Sequence, residues 1–170
     1  MGMVKIVGPK DGKAGNLGGI GVRFMVEGAE SGGSFALVEH PMAPRALAAP
    51  MHRHSREDEY SYVLQGRLGA SLGGEVVFGV PGDLIFKPRG QWHTFWNAGD
   101  EPARILEIIS PAGFERFFAT LTELADAGQL NPGTMAPLAA LYGAELDFDS
   151  LPGLISTHGL VFPGVPAVAR

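Results

Sequence analysis

An all-β barrel or sandwich with a helical appendage is the fold class this sequence predicts, and three observations predict it. Short apolar runs recur at close intervals from Ile20 to Ile109, most of them bounded by Gly, Pro or Asp. That rhythm belongs to sheets built from many short strands. Glycine is in excess, with 25 among 170 residues beside 13 prolines, where roughly 7% glycine is usual. After Pro111 the period changes. Phe114, Phe117, Phe118, Leu121 and Leu124 recur at three- and four-residue steps, the spacing of one apolar helix face.

The elements follow in order. Gly8 to Gly19 is rich in Gly and Lys and lacks apolar periodicity, so it reads as a loop. Strands are expected at Ile20–Val26, Ser34–Glu39, Tyr60–Gln65, Leu68–Leu72, Val76–Val80, Asp83–Lys87, Trp92–Asn97 and Arg104–Ile109. The amphipathic helix runs from Gly113 to Ala127, with Gly128 placed to end it. A second helix is expected from Thr134 to Tyr142, stopped by Gly143. Leu151 to Thr157 suits a helical turn, and Phe162-Pro163-Gly164 an extended end. Residues 1–111 then make a β domain, and residues 112–170 a helical appendage packed on it.

Composition narrows the function. There are no cysteines, which excludes disulfide frameworks, thiolate metal sites and cysteine nucleophiles. The net charge of −5 argues against a nucleic-acid partner, because phosphate binding needs a basic face. No apolar run reaches the ~18 residues of a membrane span. Met1 to Pro9 lacks the long apolar stretch of a secretory signal. The expectation is a cytoplasmic protein with no membrane partner. Gly69-Ala70-Ser71-Leu72-Gly73 fits a nucleophile-elbow pattern, but such an elbow needs a strand-to-helix turn and here lies among strands.

The chemistry concentrates in the histidines. Met51-His52-Arg53-His54 holds two, and on a strand residues i and i+2 share a face. His52 and His54 can therefore aim at one point. Glu59 follows His54 by five residues, ahead of the strand-like Tyr60 to Gln65, and His93 lies in the later strand WHTFWN. Two or three imidazoles and one carboxylate suit a divalent transition ion. His40 and His158 read as structural histidines. Asn97 shares parity with His93 but reads as a turn or hydrogen-bond anchor. Glu107, inside RILEIIS, reads as an ordinary outward position, with an acid/base or ligand-supporting role as the alternative.

At these residues the sequence resembles the cupin superfamily. The first motif of that family matches His52-Arg53-His54, four residues, Glu59, six residues, Gly66. The second matches Gly82, five residues, Pro88-Arg89-Gly90, two residues, His93, three residues, Asn97. One position departs: Ala46 stands where the family has a glycine six residues before the first histidine. The flanks from Gly18 to Phe118, including SPAGFERFF, look like those of small single-domain cupins, some of them quercetinase-like. The resemblance implies a double-stranded β-helix, or jelly-roll barrel, with one divalent transition metal (Fe, Mn, Ni, Co, Cu or Zn) between its sheets. His52, His54, Glu59 and His93 would be the ligands; in an oxygenase reading Glu59 is also the expected catalytic proton acceptor, a dual role that needs a displaced or flexible carboxylate. It further implies a homodimer, in which Phe114, Phe117 and Phe118 pack on their own barrel or on a partner.

Strand parity extends the site. If His93 points inward, so does Phe95, while Trp92, Thr94 and Trp96 point away. If Glu59 points inward, Ser61 and Val63 follow. Phe24, Phe35 and Phe86 are candidates to close the cavity. The pocket residues expected are Phe95, Val63, Ser61 and Phe86, and such walls suit an aromatic or otherwise apolar small-molecule substrate. The leading functional expectation is a dioxygenase-type enzyme. A non-oxidative isomerase or lyase and a non-catalytic ligand-binding module are the alternatives. A phosphosugar substrate would need converging cations, and Lys87, Arg67, Arg89 and Arg104 read as scattered.

Overall fold

The computed structural model describes residues 5–164, and within them eleven strands form two antiparallel sheets. The first sheet runs β1 (Ala14–Asn16), β2 (Gly21–Val26), β3 (Ala36–Met42), β10 (Ala103–Ser110), β5 (Asp58–Gln65), β8 (Leu84–Lys87). The second runs β11 (Ala144–Asp147), β4 (Met51–His54), β9 (His93–Asn97), β6 (Leu68–Leu72), β7 (Glu75–Gly79). This is the jelly roll that the resemblance implies, built from the short strands that the punctuated rhythm predicts. Three helices complete it: α1 (Glu115–Asp126), α2 (Pro132–Leu141) and α3 (Leu151–His158).

Alternation along the strands decides what lies inside. On β10, Ala103, Ile105, Glu107 and Ile109 are buried, and the residues between them are more exposed. Val38, His40 and Met42 of β3 face the same interior, as do Glu59, Ser61 and Val63 of β5. Met42, Val63, Leu68, Ile85, Phe95 and Ile105 make one apolar cluster between the sheets. Each large side chain so buried contributes about 1.5–3 kcal/mol.

The helices attach through separate clusters. Phe114, Phe117 and Leu121 pack on Val38 and Ile109, so the α1 face predicted from its periodicity lies on its own barrel. Glu115, buried at the start of α1, accepts a hydrogen bond from the Gly28 amide at 3.1 Å and ties the helix to the β2–β3 connection. Trp96 leaves the interior by parity and meets Leu151, Ile155 and Leu160, which seats α3. Gly128 (φ 67°) and Gly143 (φ 77°) adopt the left-handed backbone that ends α1 and α2. The α2 helix starts two residues before the predicted Thr134. Pro132 serves as its first residue, and the Asn131 side chain caps the Gly133 and Thr134 amides.

Two strands differ from the sequence expectation. β1 lies in the segment read as a loop: three residues pair with β2, with Ala14 opposite Arg23. β11 lies in the segment read as helical and pairs with β4, with Leu146 opposite His52. Both are short edge strands, so pairing with a neighbour creates them and local periodicity carries no trace. At the turn before β4, Ala46 stands where a glycine is expected, and the left-handed residue is its neighbour Arg45 (φ 58°). Among the described residues no helix is long and apolar enough to cross a membrane.

Candidate metal centre

Two sheets contribute to one cluster. β4 presents His52 and His54 on its inner face, with Arg53 between them turned outward. β9 runs antiparallel beside it and sets His93 opposite His52. Ring centroids lie 4.3 Å apart for His52 and His93, and 5.2 Å apart for His52 and His54. Glu59 arrives from β5 in the facing sheet. Its Oε2 lies 3.3 Å from His93 Nε2 and 3.5 Å from His54 Nε2. One donor atom from each of the four residues falls within 4.8 Å of every other, and all four side chains are buried.

The donor set fits a cation. His52 Nδ1 donates to the Pro50 carbonyl at 2.9 Å, and His93 Nδ1 donates to the Gln91 carbonyl at 3.0 Å. Those bonds leave both Nε2 lone pairs directed into the cluster. His93 Nε2 therefore faces the Glu59 carboxylate, acceptor against acceptor, unless a positive charge sits between them. A second proton on His93 is disfavoured, because burial lowers its pKa. Burial, followed by His93 and His54, pushes His52 further, well below the usual imidazole range. Burial alone would raise the Glu59 pKa, but Lys87 and His54 outweigh it and hold the carboxyl well below its usual range. Ligands about 2.0–2.2 Å from one ion sit roughly 3–4 Å from each other. Neither His54 ring nitrogen has a hydrogen-bond partner among the described residues, and the Phe114 ring packs edge-on at 4.3 Å against it.

A polar stripe adjoins the cluster on the inner face of the first sheet. Lys87 Nζ lies 3.1 Å from Glu59, 3.0 Å from Glu107 and 4.4 Å from the Phe95 ring centroid. Ser61 donates to the second oxygen of Glu107 at 2.7 Å. Burial, opposed by Lys87, pushes the Glu107 carboxyl up to about 7. A cavity of about 690 Å³ opens from here. His40, His52, Glu59 and Glu107 line its polar end, with Phe95 beside them. The appendage supplies much of the remaining wall through Phe118 of α1, Met135 of α2, Leu146 of β11 and Leu151 of α3.

These positions correct several expectations. Phe86 faces outward, 46% exposed and stacked on Tyr60 at 4.8 Å, because its parity is opposite to that of Ile85 and Lys87. Val63 is inward but buried in the apolar cluster, and Ser61 is inward but engaged by Glu107. Phe24 lies in the core under α1, and Phe35 is at the surface. Glu107 points inward, not outward. Ile105 and Ile109 share its parity, while the polar ends Arg104 and Ser110 mark the other face. Lys87 is not scattered but fully buried beside Glu59, its cross-strand partner. His40 lines the cavity. Phe95 is where parity puts it. Asn97 anchors its turn, donating to the Ala43 and Glu101 carbonyls and accepting from the Gly99 amide. His158 stacks on Trp96 at 4.5 Å, and Ser71 sits within β6, away from any strand-to-helix turn.

Comparison with known proteins adds the following. A family model described as "Cupin domain" matches residues 39–109, which include all four cluster residues. The Tetracenomycin polyketide synthase protein TcmJ of Streptomyces glaucescens is 38% identical over 60 residues, covering 35% of this chain and 40% of its own. Polyketide synthase CurC of Streptomyces cyaneus is 39% identical over 61 residues, covering 35% and 39%. The matched segment thus spans about two fifths of the length of these curated relatives. The structure of KdgF from Halomonas sp. superposes with a TM-score of 0.58 at 21% identity, over 67% of this chain and 99% of that one.

Proposed function

The chain belongs to the cupin superfamily, and from that premise we propose that it is a metal-dependent enzyme acting on a small aromatic or otherwise apolar organic molecule. The observation that carries the reading is the buried three-histidine, one-carboxylate cluster at the polar end of a largely apolar cavity. The volume is in the range of small-molecule sites. Both partly matching relatives carry polyketide synthase in their names, which supports a small organic substrate of polyketide type.

His52, His54, Glu59 and His93 would hold one divalent transition ion, which when bound supplies Lewis-acid activation of a substrate oxygen and, where redox-active, a route for O₂. The chain's own residues supply the rest. His52 and His93 are held as neutral donors by their backbone bonds. Lys87 offsets the negative charge of the buried Glu59 and Glu107. The aromatic wall orients a flat substrate and excludes water. Glu59, ionised beside Lys87, would serve as a ligand; its lowered pKa counts against the proton-accepting role expected of it.

The first reading is dioxygenase-type: both atoms of O₂ enter the product, so no outside reductant is consumed. Glu107 favours a second, non-oxidative reading. A carboxyl that titrates near neutral pH at a cavity wall can both take and return a proton, as isomerisation or lyase chemistry requires. The test begins with elemental analysis of untagged protein beside a His93→Ala control, where one ion per chain is expected and is lost in the control. Substrate consumption is then followed with phenols and β-diketones, in air and without it. Oxygen uptake matching substrate loss supports the first reading, and unchanged anaerobic turnover the second. Binding without product would leave a ligand-binding protein and overturn both.

A further inference from the structure

His40 is not part of the four-residue cluster, yet it is almost wholly buried and lines the same cavity as His52 and Glu59. It sits on β3, inward with Val38 and Met42. Its Nδ1 donates to the Gly21 carbonyl at 2.9 Å. That bond fixes the tautomer, so Nε2 carries a lone pair and no proton. Nε2 has no hydrogen-bond partner among the described residues. Phe118 meets the ring edge-on with centroids 5.2 Å apart, and Phe95 lies at 6.4 Å. A buried acceptor without a partner is uncommon in a folded protein, and each instance calls for an explanation.

We propose that His40 Nε2 is a specificity-determining acceptor for a hydroxyl or enol O–H on the ligand of this cavity. The proposal rests on the reading that the cavity takes an aromatic substrate, and it adds which polar group that substrate must carry. Burial holds the His40 pKa down to about 4, so at neutral pH the ring accepts a hydrogen bond and does not take the proton. A phosphate or carboxylate oxygen has no proton to offer, and its charge would face a lone pair. A phenol or enol has the proton and shares the flat shape of the flanking rings. The ligand class is therefore a hydroxylated aromatic, with its hydroxyl on the β3 side of the cavity and not only at the cluster.

The experiment uses 1-naphthol and its methyl ether, 1-methoxynaphthalene, as matched probes. Their binding to the full chain is measured by titration calorimetry before and after treatment with a chelator. The wild type should favour the naphthol by roughly five- to tenfold, the factor one neutral hydrogen bond supplies. His40→Asn keeps a donor near Gly21 but is too short to place an acceptor at the position of Nε2, and it should bind the two probes alike. His40→Gln carries an oxygen to the position of Nε2 and should recover part of the preference. The double comparison of probe and variant removes differences in probe size. Persistence of the preference after chelation, with its loss in His40→Asn, supports the proposal even if the protein proves to bind no metal. Equal binding by the wild type, or failure of 1-naphthol to bind, overturns it. A preference that disappears on chelation and ignores His40→Asn also overturns it, and leaves the metal reading standing.

Discussion

Lys87 Nζ lies 3.0 Å from the Glu107 carboxylate, and neither side chain reaches solvent. Glu59 lies 3.1 Å away on the other side of the same ammonium. Burial alone would lower the Lys87 pKa, but Glu107 and Glu59 outweigh it and raise the pKa, so the lysine stays charged. One cation therefore holds two carboxyl groups inside the barrel. Removing it leaves two buried carboxyl groups side by side without their counter-ion.

Lys87→Met should accordingly cost about 3–5 kcal/mol, the loss usual when one partner of a buried pair is removed. Urea denaturation measures it. Lys87→Met with Glu107→Leu should be less damaging than Lys87→Met alone, because the second change removes one stranded carboxyl. A loss below about 1 kcal/mol would instead resemble an exposed pair and contradict this arrangement.

His40 gives a pH dependence with a definite sign. Its folded pKa of about 4 lies below the ordinary value of 6.5. The unfolded chain therefore takes up the proton first as pH falls. The contribution of His40 is fully present above about pH 6.5, declines between there and pH 4, and is lost below. The separation corresponds to a few kcal/mol, on the order of 3. His40→Asn should gain stability relative to wild type as pH drops from 7 to 4, while the difference stays flat above 7. Parallel stability curves for the two proteins across that range would contradict the buried, neutral assignment.

The site was legible where the chemistry is local in sequence. His52 and His54 share a strand face, and the matching motifs bring Glu59 and His93 into register with them. Phe95 follows from the parity of His93. Lys87 was not legible, because only its pairing with Glu59 across two strands reveals its direction. Glu107 was half legible: its neighbours in parity pointed inward, but a lone acid among apolar residues on both faces reads as easily outward. β11 left no periodic trace in four residues, yet it carries Leu146 to the cavity wall. What failed to show was what depends on a partner strand.

Phe114 links the appendage to the cluster. Its ring stands edge-on to His54 at 4.3 Å and stacks against Phe117 at 4.8 Å. His54 lacks hydrogen bonds from either ring nitrogen among the described residues, so the Phe114 packing orients it together with the Glu57 carboxylate 3.8 Å from Nδ1 and Glu59 3.5 Å from Nε2. Phe114→Ala should cost about 3–5 kcal/mol of stability. Phe114→Leu should recover most of that loss but not the edge-on wall. Metal affinity measured by competition with a coloured chelator should then fall in both variants. Full affinity in Phe114→Leu would show that His54 needs no aromatic neighbour.

Metal binding should itself appear as stability. An ion that binds only the folded chain stabilises it by about 2.7 kcal/mol at a hundred times its Kd. In a chain of this length each kcal/mol raises Tm by roughly 2–4 °C, so an upward shift of roughly 5–10 °C is expected on adding the preferred ion to chelated protein. His93→Ala, His52→Ala and Glu59→Gln each remove a donor and should lose most of the shift. Ser71→Ala, on β6 outside the cluster, should keep it. The ranking of Tm shifts among Fe, Mn, Ni, Co, Cu and Zn then identifies the ion to use in turnover assays. A donor set of imidazoles and a carboxylate leaves that choice to availability as much as to affinity. An identical shift in wild type and His93→Ala would mean that the ion binds elsewhere, and would separate the cluster from metal chemistry.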